Sequence, residues 1–184
     1  DGQLLEIKRQ IRQPNGYPFS PEMLKQHLQA AIEGRFQVIA GFSVWKTIRI
    51  GTGLKNADTF RRALASGECK ISEWANDILS KSAFKAATKE MEVDLVRTTV
   101  AELGFKEGAQ RNQIYERAKE LGLDLSPSEV GPQLRLQYKD QPNGELLRIG
   151  MEPIRLSGNH LGVFLVGCDG LYSDFGSPDR FWNP

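Results

Sequence analysis

Apolar residues recur at helical spacing in four stretches of the first half of the chain. The predicted helices cover residues 3–12, 21–33, 56–66 and 72–79. Between the second and third helices, two runs rich in β-branched and aromatic residues, 36–40 and 44–50, predict strands joined by a turn at 41–43. Alternation within 44–50 places Trp45 on the side of the strand opposite to Lys46.

The second half predicts a strand at 93–100 and a helix at 109–121. The stretch Ser126-Pro127-Ser128-Glu129 predicts a capping box for the next helix, and Pro132 inside that helix predicts a kink or a broken start. After a turn at 141–144, apolar runs predict antiparallel strands at 146–151 and 161–166, joined by a turn at 157–159, and 170–175 could add a third short strand. The whole pattern predicts an α+β fold with helices packed on small antiparallel β-sheets. One interpretation of 109–138 is a helix-turn-helix-like corner followed by β-hairpins.

The polar, alanine-rich stretch 81–89 is the best candidate for a domain boundary. It would separate an N-terminal helical and βα segment, 1–88, from a C-terminal α+β segment, 89–184, although a single compact domain fits equally well. The sequence begins without an initiator Met and stops at FWNP, just after strand-like aromatic residues. We therefore expect a fragment that is truncated at its C-terminus.

Composition indicates an ordinary globular chain and no obvious polyanion partner. The 184 residues are 40% hydrophobic and 26% charged, with a formal net charge of +1. A protein that neutralises several phosphates needs a surplus of Lys and Arg on one face. Two distant cysteines suit a reducing compartment, and no apolar run is long enough to span a bilayer. We expect a cytoplasmic protein without a membrane segment.

The turn from Gly51 to Asn56 is a candidate anion site. Two glycines between a strand and a helix let backbone N–H groups converge on a phosphate, and a lysine could add charge. The candidate residues are Gly51, Gly53 and Lys55. The dinucleotide-binding motif would need a third glycine and the P-loop a Gly-Lys-Ser/Thr ending, and both are missing here. Ordinary tight turns remain the simpler interpretation of these glycines.

A second hypothesis makes 109–138 a reader of nucleic acid. Its second helix would enter a groove and offer polar side chains to base edges. The candidate residues are Arg111, Gln133, Arg135, Gln137 and Lys139. However, the stretch carries equal numbers of basic and acidic residues, and a packed helical corner explains the same pattern.

Catalytic and metal-binding signals are sparse. The sequence contains no HExxH, no GxSxG and no cysteine pair at metal spacing. Cys168 lies near His160 and Asp169 in sequence, but it follows a strand-like run and is better explained as a small buried residue. Glu73 and Asp77 share a helix face, as solvated carboxylates commonly do. We therefore predict no catalytic residue, metal site or cofactor. The closing aromatic residues Tyr172, Phe175, Phe181 and Trp182 could form an exposed recognition surface, but we expect them to close the core or to pack on residues beyond Pro184.

Several stretches resemble a family of uncharacterised bacterial hypothetical proteins. They are KISEWANDIL at 70–79, VDLVRTTVAELGFKEGA at 93–109 and EVGPQLRLQYKDQPNGELLRIGMEPI at 129–154. The stretch IRIGTGLKNADTFRRAL at 48–64 and the closing FWNP are similar to the same family, whose members usually continue beyond that point. The resemblance implies a bacterial origin and brings no activity, cofactor or site residue with it.

The leading hypothesis for function is a non-catalytic binding or interaction module with a protein partner. It rests on scattered ionisable groups that form no nucleophile–base pair and no ligand set. The alternatives are a nucleic-acid-binding protein that uses 109–138, and an enzyme or binder of a phosphorylated small molecule at the turn from Gly51 to Asn56.

Overall fold

The structure is a computed structural model that describes residues 42–176 and 180–183. The helices predicted at 3–12 and 21–33, the strand predicted at 36–40 and the first residue of the turn after it lie outside the described residues. Within the described residues, four α-helices combine with nine strands in small sheets, which confirms the predicted α+β fold.

The elements follow one another in this order along the chain. The strands are β1 (Val44–Ile50), β2 (Lys70–Ile71), β3 (Met91–Val96), β4 (Ala109–Gln110), β5 (Leu146–Arg148), β6 (Ile154–Arg155), β7 (Leu161–Gly167), β8 (Gly170–Gly176) and β9 (Phe181–Trp182). The helices are α1 (Ala57–Ser66), α2 (Glu73–Ser80), α3 (Arg111–Glu120) and α4 (Val130–Gln137), and Ser157–Asn159 forms a 3-10 turn.

Three sheets organise the described residues. The ribbon consists of the antiparallel pair β1 and β3, and the central sheet has the order β2-β8-β7-β5 with β6 also pairing with β7. The third sheet pairs β4 with β9. Not every pair is antiparallel, because β2 runs parallel to β8. Strands from before and after the candidate boundary at 81–89 pair with each other in the ribbon and in the central sheet.

The core forms where α4 crosses the central sheet. Val163, Phe164 and Val166 of β7 are completely buried. Gly131 of α4 lies so close to β7 that a Cβ atom there would be 2.5 Å from the ring of Phe164. The same helix also packs against β1, so it joins the ribbon to the central sheet.

Local capping explains where the first two described helices begin. Asn56 and Thr59 form a reciprocal capping box at the start of α1, and the hydroxyl of Ser72 accepts the N–H of Ala75 at the start of α2. Both starts agree with the sequence pattern. Each cap accepts a backbone N–H that has no partner inside its helix.

The predicted start of α4 is wrong. The predicted capping box of Ser126 and Glu129 does not form, because α4 begins at Val130 without a side-chain cap. Pro132 therefore lies in the first turn, where its missing N–H would have had no intrahelical partner in any case. Nine residues, 121–129, separate α3 from α4, whereas a helix-turn-helix uses a short turn.

Candidate functional site

The backbone of the turn after β1 binds a carboxylate of the same chain. The N–H of Gly51 donates to Oε1 of Glu129 over 2.9 Å, and the hydroxyl of Thr52 accepts a bond from Gln133. Gly51 has a φ of 68°, and a Cβ there would lie 2.0 Å from the carbonyl oxygen of Lys89. A glycine is required here by the backbone conformation and by this close approach.

The other two residues proposed for an anion site lie at the surface. Gly53 and Lys55 are exposed, and Gly53 also has a positive φ. The structure therefore does not combine the three residues into a pocket: one N–H is already bonded to Glu129, and the lysine extends into solvent.

Three side chains one helical turn apart, here called the α4 ladder, tie the start of α4 to the end of β1. They are Glu129, Gln133 and Gln137. Glu129, which is 0% exposed, accepts bonds from the N–H groups of Gly51 and Ala87 and from the side chain of Gln133. The Gln137 amide accepts the N–H of Arg49 and donates to its carbonyl, as a neighbouring strand would do. The ladder satisfies backbone groups at the edge of β1 that would otherwise lack partners.

The opposite side of α4 carries a buried cation. Arg135 is 2% exposed and donates to Gln141 and to the carbonyl oxygens of Gly167 and Tyr138. Gln141 in turn donates to the carbonyl of Val166. The guanidinium thus binds the C-terminal end of α4 to the turn between β7 and β8, where carbonyl groups carry partial negative charge.

The five residues proposed to contact nucleic acid do not share one exposed face. Gln133 and Arg135 are buried within the fold, and Arg111 is also buried. Gln137 is bonded to the backbone of Arg49, whereas Lys139 is exposed. Because base edges and phosphates require exposed donors, this set cannot act together as a groove-reading surface.

The two catalytic combinations considered in the sequence are separated or otherwise engaged. Cys168 and His160 flank opposite ends of β7, a strand of seven residues, and are thus about 26 Å apart along the strand. The pKa of Asp77 is held below its usual value by hydrogen bonds from Lys81 and from the backbone of Ser157. Among the described residues, no group of three His, Cys, Asp or Glu side chains could hold a metal ion. Both cysteines are free thiols.

The closing aromatic residues are only partly in the core. Trp182 is buried, and its ring lies 5.8 Å from the ring of Tyr115. Phe175 is half-buried against Trp74, with ring centroids 4.5 Å apart, and Tyr172 is also half-buried. Phe181 is largely exposed, so it does not close the core of the described residues.

A β-bulge at the start of the ribbon creates a different candidate site. The register of β1 shifts between Val44 and Lys46, which leaves Trp45 as an extra residue without a partner in β3. Trp45 consequently turns to the same side as Lys46, and both contact the ring of Tyr138. The prediction that alternation separates these two side chains is wrong. A bulge re-aims a side chain in this way.

Two cations flank the indole ring of Trp45. Nζ of Lys46 lies 5.5 Å from its centroid and 4.5 Å from that of Tyr138. The guanidinium carbon of Arg97 lies 6.0 Å from the indole centroid, and Nη1 donates to Glu145 over 2.6 Å. Burial of the Tyr138 ring and its hydrogen bond with Glu145 raise the pKa of the phenol. These contacts fix the orientation of Trp45 and Arg97.

A groove of about 510 Å³, here called the Trp45 groove, opens beside this cluster. It is lined by Ser43, Val44, Trp45, Arg97, Thr98, Thr99 and Glu102. The side chain of Arg97 is 51% exposed, so donors that Glu145 does not use face solvent. Glu102 accepts the N–H of Thr99 and the hydroxyl of Thr98, which shapes the far wall of the groove. The lining of the Trp45 groove thus combines one aromatic ring, one cation, one carboxylate and several hydroxyl groups.

No sequence spacing could have indicated the Trp45 groove. Trp45 and Arg97 come from different strands, and they meet only because β1 pairs with β3 in a bulged register. No family model, curated protein or solved structure matches this chain. No helix in the described part of the chain is long and apolar enough to cross a membrane.

Proposed function

We propose that this protein is a binding module that recognises a protein partner through the Trp45 groove. The observation that supports this most strongly is the orientation of a half-exposed tryptophan and a half-exposed arginine into one concavity. Trp, Tyr and Arg contribute most of the binding energy in many interfaces. The groove volume also falls in the range that accommodates a peptide side chain or a small ligand.

Rigidity supports the same proposal. Trp45 contacts Tyr138 edge-on, with 5.2 Å between the ring centroids, and the salt bridge with Glu145 holds Arg97. A partner that binds side chains already held in place loses less conformational entropy on association. The groove is therefore a better candidate for recognition than an isolated exposed residue such as Phe181.

The test is a selection of peptides from a phage-displayed random library against the folded wild-type protein. Selected peptides are expected to bind Trp45→Ala and Ser43→Trp at least about tenfold more weakly, because the first removes the ring and the second fills the groove. Arg62→Ala is the matched control, since Arg62 is an exposed arginine on α1, away from the groove lining. Circular dichroism confirms that each variant folds. Peptides that bind all variants equally, or a failure to select any peptide, would contradict the proposal.

Single-stranded nucleic acid is the second candidate ligand. An indole ring with Lys46 and Arg97 beside it combines stacking with positive charge. Glu102 and Glu145 lie in the same region and balance that charge, which is unfavourable for a polyanion. Fluorescence anisotropy with labelled oligo(dT) and oligo(U), at low and at physiological salt, distinguishes this alternative. Binding that weakens with salt and requires Trp45 would favour it.

A phosphorylated small molecule at the turn from Gly51 to Asn56 has less support. The N–H of Gly51 already has a carboxylate oxygen as acceptor, and a phosphate would have to displace Glu129 from a fully buried position. Isothermal titration with inorganic phosphate checks this alternative directly.

A further inference from the structure

The outer edge of β3 is open along the described part of the chain. Among the described strands, β3 pairs only with β1. An unpaired edge offers a row of backbone N–H and C=O groups, to which an extended peptide can add as a further strand. Met91 at the start of this strand is 55% exposed, so a partner would also cover apolar surface.

The hydrogen bonds of Arg49 identify which groups point outward. Arg49 uses its N–H and C=O for Gln137, on the side of β1 away from β3. Arg49 is directly opposite Glu92 in β3, so these two residues form a non-hydrogen-bonded pair. The two pair types alternate along an antiparallel ribbon, so Thr47 and Asp94 form the next non-hydrogen-bonded pair. The backbone N–H and C=O groups of Glu92 and Asp94 therefore point to the free edge.

The side chains of the same two residues set the charge of this edge. Both are exposed and lie on one face of the ribbon, where Asp94 accepts the hydroxyl of Thr47 over 2.6 Å. Arg49 on that face is bonded to Glu90, which precedes the strand. Val96 follows on the same face, paired with Val44, which is 51% exposed. The free edge thus presents two carboxylates and then an apolar pair.

We propose that the partner of this module is an extended basic peptide that adds to β3 as an antiparallel strand. In an added strand, residues directly opposite one another share a face, and opposite charges there are favourable. An antiparallel peptide begins opposite Val96 and ends opposite Glu92, so its pattern is apolar–x–basic–x–basic. This inference rests on the proposed function, because Arg97 and Thr98 continue from β3 into the Trp45 groove and the peptide N-terminus leads there.

A second copy of the chain fits this edge less well. In a symmetric antiparallel pairing centred on Val93, Glu92 of each copy would face Asp94 of the other. A symmetric pairing centred on Asp94 would place the Asp94 side chains of the two copies directly opposite each other. Like charges directly opposite one another are destabilising, and charged edge strands resist self-pairing for this reason. A basic strand has the complementary charge.

The first experiment uses blocked synthetic peptides and the wild-type protein, followed by NMR of the backbone amides. The probe has the pattern Val–x–Lys–x–Lys with Thr or Val at each x, and a peptide with Glu at both Lys positions is its control. We expect the lysine peptide to shift the amide signals of 92–98 and to bind at least about tenfold more tightly than the glutamate peptide.

N-methylation tests whether the contact is strand addition. The two lysines of the probe would be opposite Glu92 and Asp94, so their amide groups would bond to β3. Methylating those two amides is expected to weaken binding by about thirtyfold through the loss of two hydrogen bonds. Methylating the same number of amides at the x positions, which would point away from β3, is expected to have little effect.

A charge swap tests the acidic pair in a way that does not depend on loss of binding. The double variant Glu92→Lys, Asp94→Lys is expected to reverse the preference and bind the glutamate peptide more tightly than the lysine peptide. Equal binding of both peptides to wild type, tolerance of methylation at the lysines, or shifts confined to other parts of the chain would overturn the inference.

The outcomes also separate this inference from the proposed function. If the selected peptides require Trp45 and are insensitive to the charge swap, the groove proposal stands and the strand addition is refuted. If the lysine peptide binds β3 but Trp45→Ala and Ser43→Trp do not weaken the binding of any ligand, the strand addition stands and the groove proposal is refuted. Sedimentation showing a dimer, together with concentration-dependent shifts of the amide signals of 92–98, would identify a second copy as the occupant and overturn the basic-peptide assignment.

Discussion

Removing the carboxylate of Glu129 should destabilise the protein more than almost any other single change at a polar residue. The substitution Glu129→Ala deletes the acceptor of two backbone N–H groups, those of Gly51 at 2.9 Å and Ala87 at 2.6 Å. Gln133 also loses one acceptor but keeps the hydroxyl of Thr52. The perturbation therefore leaves two partly buried backbone donors without a partner.

The magnitude follows from those two donors. A fully buried donor without an acceptor costs about 1–3 kcal/mol, so two partly buried donors set an upper limit of about 2–6 kcal/mol on the expected loss in the free energy of unfolding. A domain of this size is typically stable by about 5–15 kcal/mol, so the variant approaches the limit of folding. Glu129→Gln keeps one acceptor oxygen and the shape of the side chain, and it should lose roughly half as much.

Urea denaturation followed by circular dichroism measures the global effect, with Glu116→Ala as the matched control. Glu116 is an exposed glutamate on α3, and its removal should change the free energy of unfolding by less than about 0.5 kcal/mol. Amide hydrogen exchange measures the local effect, since one of the two amides, Gly51 or Ala87, should lose protection in Glu129→Gln before the rest of the core does.

Two results would refute this reasoning. One is a loss for Glu129→Ala no greater than that for Glu116→Ala. The other is unchanged exchange at Gly51 and Ala87 in a folded variant. Either result would mean that water or another acceptor replaces the carboxylate, and that the α4 ladder does not hold the turn after β1.

Two further predictions concern packing and pH. Gly131→Ala should destabilise by about 1–3 kcal/mol despite the higher helix propensity of alanine, because its Cβ would overlap the ring of Phe164; Gly150→Ala, where a Cβ meets nothing within 4 Å, is the control in urea denaturation. The pKa of Asp77 is lower in the folded state, so its contribution to stability is present above its unfolded pKa of about 3.9 and is lost as the pH falls through the folded value. The difference in urea midpoint between wild type and Asp77→Asn should therefore shrink on acidification, and a constant difference would contradict the lowered pKa. An equal effect of Gly131→Ala and Gly150→Ala on the free energy of unfolding would contradict the packing argument.

The α+β class and several elements could be predicted because their signals are local. The helices at α1 and α2 begin at the predicted caps, and the strand-like runs after residue 160 form β7 and β8. Side-chain periodicity and capping groups act within a few residues, so they can be recognised in one sequence. The parallel pairing of β2 with β8 lacks such a signal, because a two-residue strand is identified only by its partner.

The predicted sites failed where polar residues point inward. Gln133 and Arg135 look like surface residues of an amphipathic helix, yet both are 2% exposed. Gln133 bonds the hydroxyl of Thr52 in the turn after β1, and Arg135 bonds the carbonyl of Gly167 at the end of β7, and only the fold brings these partners to α4. A single sequence gives no indication of which buried backbone groups will need a side-chain partner.

The Trp45 groove shows the same division between local pattern and tertiary structure. The sequence by itself determines that residues 44–50 form a strand and that a second strand lies near residues 93–100, because β-branched and aromatic residues mark both runs. Only the pairing of β1 with β3 determines that one residue is extra, and this turns Trp45 toward Tyr138 and Arg97. The physical reason is that register is a property of two strands and of what packs on them, so the direction of a bulged side chain is not set by its own strand.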